Sequence, residues 1–253
     1  MNQFDLTGRR ALITGSSRGL GYAIAEGLAE AGAEVILNSR KADDVEESCA
    51  RLRDAGHKAH GRAFDVSDPD AVEATVADVE ANVGPIDILF NNAGIQHRQP
   101  LEEFSYADWK RVMAINLDAV FLMAQAVAKR MLPRGRGKIV NTASINAEIA
   151  RASIAPYVTS KGAVKMLTKA MCVEWSSKGL NINGIGPGYF KTELNRPLFT
   201  NPEFDAFVCK RTPAGRWGEV HELKGVAVFL ASDASSYVNG HMLYVDGGMT
   251  GAV

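Results

Sequence analysis

The chain has 253 residues, of which 46% are hydrophobic and 23% charged, and its formal net charge at pH 7 is −1. This composition supports a sizeable core and excludes a disordered or fibrous chain, while the near-zero charge gives no general attraction to nucleic acid or to an anionic membrane. The three cysteines show neither a CxxC pair nor metal-ligand spacing, which indicates reduced thiols, a cytoplasmic location and no metal site. No signal-peptide pattern and no apolar run of roughly 18 residues is found, so we expect no membrane segment.

Short apolar runs alternate with longer helical patterns along the chain. Strands are predicted at 10–15, 34–38, 59–66, 86–94, 137–144, 180–188 and 241–248, and helices at about 19–31, 42–55, 106–131 and 219–231, with others starting near Pro69 and Pro156. Strands that are apolar throughout are typical of a parallel sheet covered on both faces. The sequence therefore predicts an α/β fold: one Rossmann-type domain over residues 1–253, a doubly wound parallel sheet of about seven strands with helices on both faces.

Residues 189–215 interrupt this alternation after the sixth strand. Pro197, Pro202 and Pro213 should break any long element there, so an irregular insertion is predicted. Insertions at the carboxyl end of a strand often cover a ligand, and we therefore expect a substrate lid at about 189–215.

A glycine-rich turn follows the first strand. It reads TGSSRGLG (14–21), and its three glycines have the spacing G-x3-G-x-G. Glycines between a strand and a helix allow a tight turn and bring backbone amides close to a pyrophosphate at the helix N-terminus. The turn therefore predicts a dinucleotide site, with a plain glycine-rich connection as the alternative. Its expected cofactor contacts are Gly15, Ser17, Arg18, Gly19, Leu20 and Gly21.

The end of the second strand indicates which dinucleotide is preferred. It carries Ser39 and Arg40, where an NAD site usually has an acidic residue for the ribose diol. Together with Arg18, Arg40 provides guanidinium groups that can bind a 2′-phosphate. We therefore expect NADP(H) to be preferred, with NAD(H) possible, unless both arginines are solvated surface residues.

The third and fourth strands end at the same edge of the predicted sheet. The third strand closes where an adenine would lie, and the fourth closes with NNAG (91–94), in which Asn91 can turn its amide towards the nucleotide. The further cofactor contacts expected here are Asp65, Val66, Asn92, Ala93 and Gly94.

Four side chains later in the chain complete a recognisable pattern. Tyr157 and Lys161 are four residues apart and share a helix face, Ser144 ends the fifth strand, and Asn116 lies in the long preceding helix. With TGSSRGLG, NNAG and the PG at 187–188, they occur in the order and spacing of the classical short-chain dehydrogenase/reductase family. The chain resembles that family over essentially its whole length.

The resemblance implies an oxidoreductase with the catalytic residues Asn116, Ser144, Tyr157 and Lys161. Tyr157 would be the general acid/base, its pKa lowered from ~10 by roughly 3 units through Lys161 and the positive nicotinamide. Ser144 would donate a hydrogen bond to the reacting oxygen, and Asn116 would hold a water that relays protons. The resemblance also implies cofactor contacts from Tyr157, Lys161, Pro187, Gly188 and Thr192, and a homotetramer.

Longer stretches, among them NNAGIQHRQPLEEF and NGIGPGYFKTEL, resemble the branch of the family that interconverts D-gluconate and 5-dehydro-D-gluconate. A sugar acid requires a cation for its carboxylate, and Arg98 is the first candidate because it directly follows the fourth strand, unless it is a solvated loop residue. His97, Gln96 and Lys191 are also expected near this edge. The substrate contacts expected are Ser144, Tyr157, Arg98, Asn146 and Glu148, the last for hydroxyl groups.

The sequence leaves two other functions open. The first is another reductase of the family, acting on a 3-oxoacyl group carried by acyl carrier protein, a deoxy-ketogluconate or a polyol. A carrier protein would need a basic patch near the entrance. The basic residues before the fifth strand are expected at the opposite edge of the sheet: Arg130, Arg134, Arg136 and Lys138. The second is a non-catalytic nucleotide-binding regulator, against which the complete catalytic set argues.

Overall fold

The computed structural model describes residues 2–252, and its centre is one sheet of seven parallel strands in the order β3-β2-β1-β4-β5-β6-β7. The strands are β1 (Arg10–Ile13), β2 (Glu34–Ser39), β3 (Ala59–Ala63), β4 (Ile88–Asn91), β5 (Gly137–Thr142), β6 (Leu180–Pro187) and β7 (Met242–Val245). The predicted α/β class, the strand number and the parallel doubly wound arrangement are confirmed. Six of the seven strands end one to three residues earlier than predicted, because the residues that follow them leave the sheet, whereas β2 ends one residue later.

The helices are α1 (Gly19–Glu30), α2 (Ala42–Asp54), α3 (Pro69–Asn82), α4 (Tyr106–Met113), α5 (Ala119–Arg134), α6 (Ala155–Trp175), α7 (Arg196–Phe199), α8 (Pro202–Arg211) and α9 (Lys224–Ala231). Successive strand residues point to opposite faces of the sheet. In β1, Ala11 and Ile13 join a buried cluster with α1, α2 and α9, whereas Leu12 joins a second cluster with α3, α5 and α6. Both faces are thus covered, which explains why the apolar runs of the central strands are nearly continuous.

The long helix predicted from Tyr106 is interrupted. A π-helical turn, Ala114–Asp118, separates α4 from α5 and contains the fully buried Asn116. By length and composition, Tyr106–Arg134 alone among residues 2–252 could cross a membrane, but half of its most apolar window is buried inside the fold. It packs against α3 and α6 as a core helix, which is how a buried helix of an ordinary domain passes the same test.

The segment after β6 contains helices, contrary to the irregular insertion that its prolines predicted. Pro197 and Pro202 occupy the first turns of α7 and α8, where the missing N–H is not needed and the fixed φ suits a helix. These prolines therefore begin short helices. An aromatic group that includes Tyr189, Phe204 and Trp217 packs them against the end of β6.

Candidate active site

The glycine turn brings three strand ends within contact distance. Gly15 has φ +61°, and a Cβ there would lie 2.8 Å from Cα of Ala93, the second residue after β4. A Cβ on Gly21 would lie 2.3 Å from the carbonyl oxygen of Gly15, whereas Gly19 has free space and is required for its φ of +60°. The turn is therefore compact and leaves the start of α1 open for a phosphate group.

Two buried side chains hold this turn in place, and neither was among the residues predicted from the sequence. Asn38 Oδ1 accepts a hydrogen bond from the amide of Gly15 at 3.1 Å, and its Nδ2 donates to the carbonyl of Phe64 at 3.1 Å. Ser16 Oγ accepts from the amide of Asn38 at 3.0 Å. The signal was present, since a polar residue interrupts the apolar run of β2 at the position next to the predicted cofactor residue.

The NNAG stretch serves the same turn. Asn92 Nδ2 donates to the carbonyl of Gly15 at 2.9 Å, and the amides of Asn92 and Ala93 donate to Thr14 Oγ1 at 3.0 and 3.1 Å. Asn91, expected to face the nucleotide, is instead buried in the sheet, where its Nδ2 donates to Asn141 Oδ1 at 2.9 Å. Because β4 is a central strand, its last side chain points into the core.

The corner at the end of β2 is cationic. Arg18 and Arg40 are both exposed, and neither forms an ion pair within residues 2–252 at 4 Å or less. Ser39 Oγ accepts a hydrogen bond from the amide of Lys41 at 3.2 Å. Asp65 lies close by: its pKa is lowered by hydrogen bonds from the side chain and backbone of Ser67, with a smaller contribution from the charge of Arg40. The corner therefore has a place for a phosphate dianion.

The remaining predicted cofactor residues surround this edge. Ser17 carries the carbonyl that accepts from Ser48 Oγ at 2.7 Å, and Leu20 packs on the core. Val66 is buried, three residues beyond the end of β3. Pro187 ends β6, and a Cβ on Gly188 would lie 2.8 Å from Cα of Asp246.

Thr192, at the start of the segment after β6, uses its Oγ1 to accept from the amide of Asn195 at 3.3 Å. Gly94 lies beside the catalytic set, since a Cβ there would be 3.4 Å from Asn116 Oδ1 and 3.7 Å from Lys161 Nζ.

Tyr157 and Ser144 lie together at the end of β5. Ser144 is buried and accepts a hydrogen bond from the amide of Asn146 at 3.1 Å. Burial raises the pKa of the Tyr157 hydroxyl, the hydrogen bond with Ser144 lowers it in part, and nearby Tyr189 raises it again. The protein groups thus act against the lowering expected from the sequence, because desolvation of a phenolate outweighs one hydrogen bond. At neutral pH Tyr157 carries its proton.

Lys161 is buried, 4% exposed, on the same face of α6. Its Nζ donates to the carbonyl oxygen of Thr142 at 2.7 Å and lies 5.6 Å from the centre of the Tyr157 ring. Burial lowers the pKa of Lys161 to about 8. The amine therefore lies against the tyrosine ring with two donor positions left for other acceptors.

Asn116 braces the loop after β4. Its Oδ1 accepts from the amide of Ile95 at 2.8 Å, and its Nδ2 donates to the carbonyl of Ile95 at 2.9 Å and to Ser160 Oγ at 3.2 Å. The π-helical turn turns this amide towards the loop. The side chain thus contacts protein groups, and its part in a proton relay stays a prediction.

The candidate substrate residues fall into two groups. Arg98 is exposed, and its Nε and Nη2 donate to Gln96 Oε1 at 3.1 and 3.0 Å. Partial burial and then the charge of Arg151 lower the pKa of Arg98, which also lies near Tyr189. His97 Nε2 is 3.4 Å from Gln99 Oε1. Arg98 thus contacts the side-chain amide of Gln96 and has no carboxylate partner within residues 2–252.

Three other candidates are occupied elsewhere. Glu148 forms an ion pair with Lys165 and accepts from the hydroxyl of Tyr244 at 2.6 Å, so it links α6 to β7 and does not extend towards Arg98. Lys191 pairs with Glu219 at 2.9 Å. Asn146 Nδ2 donates to the carbonyl of Ile149 at 3.1 Å and positions Ser144.

Two relatives are similar to this chain over nearly its whole length. It is 57% identical over 247 residues to gluconate 5-dehydrogenase of Gluconobacter oxydans (strain 621H), covering 98% of this chain and 96% of the relative. It is 48% identical over 250 residues to 5-keto-D-gluconate 5-reductase of Escherichia coli (strain K12), covering 99% and 98%.

A solved structure and a family model agree with this. The crystal structure of a gluconate 5-dehydrogenase from Burkholderia cenocepacia J2315 in complex with NADP and tartrate is 54% identical, has a TM-score of 0.97, and the match covers 100% of this chain and 99% of that chain. A family model described as enoyl-(acyl carrier protein) reductase matches residues 15–250. The chain therefore belongs to the short-chain dehydrogenase/reductase family.

Proposed function

We propose that this protein is an NADP(H)-dependent oxidoreductase that interconverts D-gluconate and 5-dehydro-D-gluconate. The observation that carries the proposal is Arg98, a guanidinium in the loop after β4 that, like Tyr157, lies close to Tyr189 and has no carboxylate partner within residues 2–252. Such a cation suits a small hydroxy acid whose ketone or alcohol meets Tyr157. The names of the relatives from Gluconobacter and Escherichia support this substrate.

The residues at the sheet edge fit NADP(H). The compact glycine turn leaves the amide end of α1 open to a pyrophosphate, and Arg18 and Arg40 provide the charge for a 2′-phosphate. Lys161 would hold the nicotinamide ribose with its free donor positions. NADP(H), when bound, supplies the hydride acceptor of the oxidation or the hydride donor of the reduction.

Residues of the chain itself transfer the proton to and from the substrate oxygen. In the reduction, Tyr157 gives its proton to the substrate oxygen while Ser144 donates a hydrogen bond to the same oxygen. In the oxidation, both steps run in reverse and Tyr157 accepts the proton. Because burial raises the pKa of Tyr157, the residue carries its proton at neutral pH, as the reduction requires. The ammonium of Lys161 stabilises the tyrosinate that remains.

The pKa of Lys161, about 8, predicts how the reduction depends on pH. We expect kcat/KM for reduction of 5-keto-D-gluconate to decline above about pH 8, since a neutral Lys161 no longer stabilises the tyrosinate. Lys161→Arg, which keeps its charge, should move this decline to higher pH. The measurement is a pH profile of initial rates with NADPH for both proteins. Identical profiles would contradict the assigned role of Lys161.

Exchange of the two residues at the end of β2 should change the cofactor preference. In Ser39→Asp/Arg40→Leu, a carboxylate binds the ribose diol and repels a 2′-phosphate, so the ratio of kcat/KM with NADPH to that with NADH should fall by roughly 10- to 100-fold. Initial rates with each nucleotide at one substrate concentration series give this ratio. An unchanged ratio would show that the 2′-phosphate is bound elsewhere.

A substrate panel tests the proposed function. Loss of NADPH absorbance is followed with 5-keto-D-gluconate, a deoxy-ketogluconate, neutral ketoses and oxoacyl and enoyl thioesters. We expect the highest kcat/KM with 5-keto-D-gluconate, and preferential use of a thioester would overturn the proposal. The structure offers little for a carrier protein, since Arg130 and Arg134 already pair with Glu73 and Glu80.

The unit that we propose is a single domain over residues 1–253, with 189–215 as a substrate lid, working as a cytoplasmic homotetramer. Exposed apolar side chains on α5 and α6, namely Phe121, Met166 and Val173, support association of copies. Three free thiols support a reducing compartment. Light scattering of the purified protein measures the mass of the assembly, and fractionation of cells gives the location.

A further inference from the structure

Arg151 is a second cation near the proposed carboxylate site, and nothing in the sequence pattern singled it out. It lies in the segment between Ser144 and α6, and the centre of its guanidinium is 4.4 Å from the ring centre of Phe204 on α8. Within residues 2–252 its side chain forms neither a hydrogen bond nor an ion pair. The guanidinium is partly exposed, and its five donors are free for the acceptors of a ligand.

The loop of Arg98 and the segment of Arg151 are joined. The amide of Gln99 donates to the carbonyl of Ser153 at 2.9 Å, so each arginine lies one or two residues from the same hydrogen bond. Ser153 adopts φ +66°, a left-handed conformation unusual for serine. After burial, the charge of Arg151 is the largest influence that lowers the pKa of Arg98. Two like charges are thus held near each other, and an anion between them would relieve the repulsion.

The aromatic group on the lid segment determines where Arg151 lies. Phe204 packs edge-on against Tyr189 at 5.8 Å between ring centres, and Tyr189 packs against Trp217 at 5.3 Å. Trp217 Nε1 in turn donates to Asp205 Oδ1 at 2.8 Å, one residue beyond Phe204 on α8. Arg151 therefore stacks on a ring that is itself packed within this aromatic group, and Tyr189 of the same group lies close to Tyr157.

We propose that Arg151 binds the substrate carboxylate together with Arg98, and that stacking on Phe204 holds Arg151 in place for this. Arg151 is then a specificity-determining residue that links an anionic substrate to the lid. The inference rests on the proposed function, because it assigns the carboxylate of that substrate to a named pair of side chains. Phe204 is a positioning residue, since it acts only through Arg151.

Arg151→Gln and Arg151→Lys test the cation. Both are assayed with NADPH against 5-keto-D-gluconate and against L-sorbose, which carries CH₂OH in place of the carboxylate. We expect Arg151→Gln to raise KM for 5-keto-D-gluconate by about tenfold or more, and Arg151→Lys to raise it less, since lysine keeps the charge and loses the bidentate fork. With L-sorbose, kcat/KM should change by less than about twofold.

Phe204→Leu tests the positioning role. It should raise KM for 5-keto-D-gluconate in the wild-type background, leave L-sorbose unaffected, and add nothing further in the Arg151→Gln background, because residues acting as one unit are not additive. Arg136→Gln, at the opposite edge with a 74% exposed side chain, is the matched control for loss of a positive charge. Melting temperature and NADPH affinity establish that each variant is folded.

The outcomes separate the inference from the proposed function. A wild-type protein that does not reduce 5-keto-D-gluconate would overturn both. An active wild type whose Arg151→Gln variant keeps its KM, or loses activity equally on both ketones, would overturn the inference and leave the function in place. A selective rise in KM for the acid, reduced in Arg151→Lys, would establish the carboxylate contact.

Discussion

Tyr157→Phe should lower kcat for reduction of 5-keto-D-gluconate by about 10³-fold, within the range that a positioned general acid contributes. Phenylalanine fills the same volume beside Lys161 and removes only the hydroxyl that meets Ser144. NADPH affinity and melting temperature should therefore stay close to those of the wild type. Single-turnover measurements with NADPH separate the chemical step from product release.

Tyr237→Phe is the matched control for this loss of a hydroxyl, because Tyr237 is fully exposed. It should retain full activity. If Tyr157→Phe kept more than about a tenth of the wild-type kcat, another group would have to protonate the substrate oxygen, and the assigned mechanism would be wrong.

Gly21→Ala should damage the nucleotide site and the fold together. Its Cβ would lie 2.3 Å from the carbonyl oxygen of Gly15 and 2.4 Å from Asn92 Nδ2, and the backbone carbonyl cannot move without opening the turn. Overpacking of this kind costs about 1–3 kcal/mol of unfolding free energy. A displaced turn should also weaken NADPH binding by roughly 10- to 100-fold, since each 1.4 kcal/mol is a factor of ten.

Denaturant unfolding and NADPH titration by fluorescence measure the two effects of Gly21→Ala. Gly225→Ala is the control, because Gly225 is also helical and nothing lies within 4 Å of its added Cβ. Alanine there should be neutral or stabilise the helix by up to about 1 kcal/mol. Wild-type NADPH affinity in Gly21→Ala would mean that the turn does not hold the pyrophosphate.

The fold could be predicted because most of its strands contain nearly continuous apolar runs and its turn residues are distinctive. The site was harder to predict than the fold, because it depends on contacts between residues that are far apart in the sequence. Asn38 looks like one more residue of β2, yet its amide joins the glycine turn to the segment after β3. Arg151 was missed because its partner, Phe204, lies more than fifty residues away on α8.

Electrostatic surroundings were the least predictable. The proximity of Tyr157 and Lys161 follows from their spacing, but the direction of the tyrosine's pKa shift depends on burial, which a four-residue spacing does not give. Glu148 shows the same limit: it follows Ser144 closely in sequence, yet Lys165 and Tyr244 bind its carboxylate.

Because of the π-helical turn at Ala114–Asp118, the number of residues in the helical stretch from α4 to α5 cannot change, even by one. A helix of the α type advances about 100° per residue, so the widened turn offsets α4 from α5 by one step of the spiral. Deleting one residue here would restore ordinary α-helical winding. Either the apolar face of α5 would then turn away from the sheet, or the side chain of Asn116 would no longer reach the amide of Ile95. Length changes that a surface helix tolerates should therefore be rejected at this point of the chain.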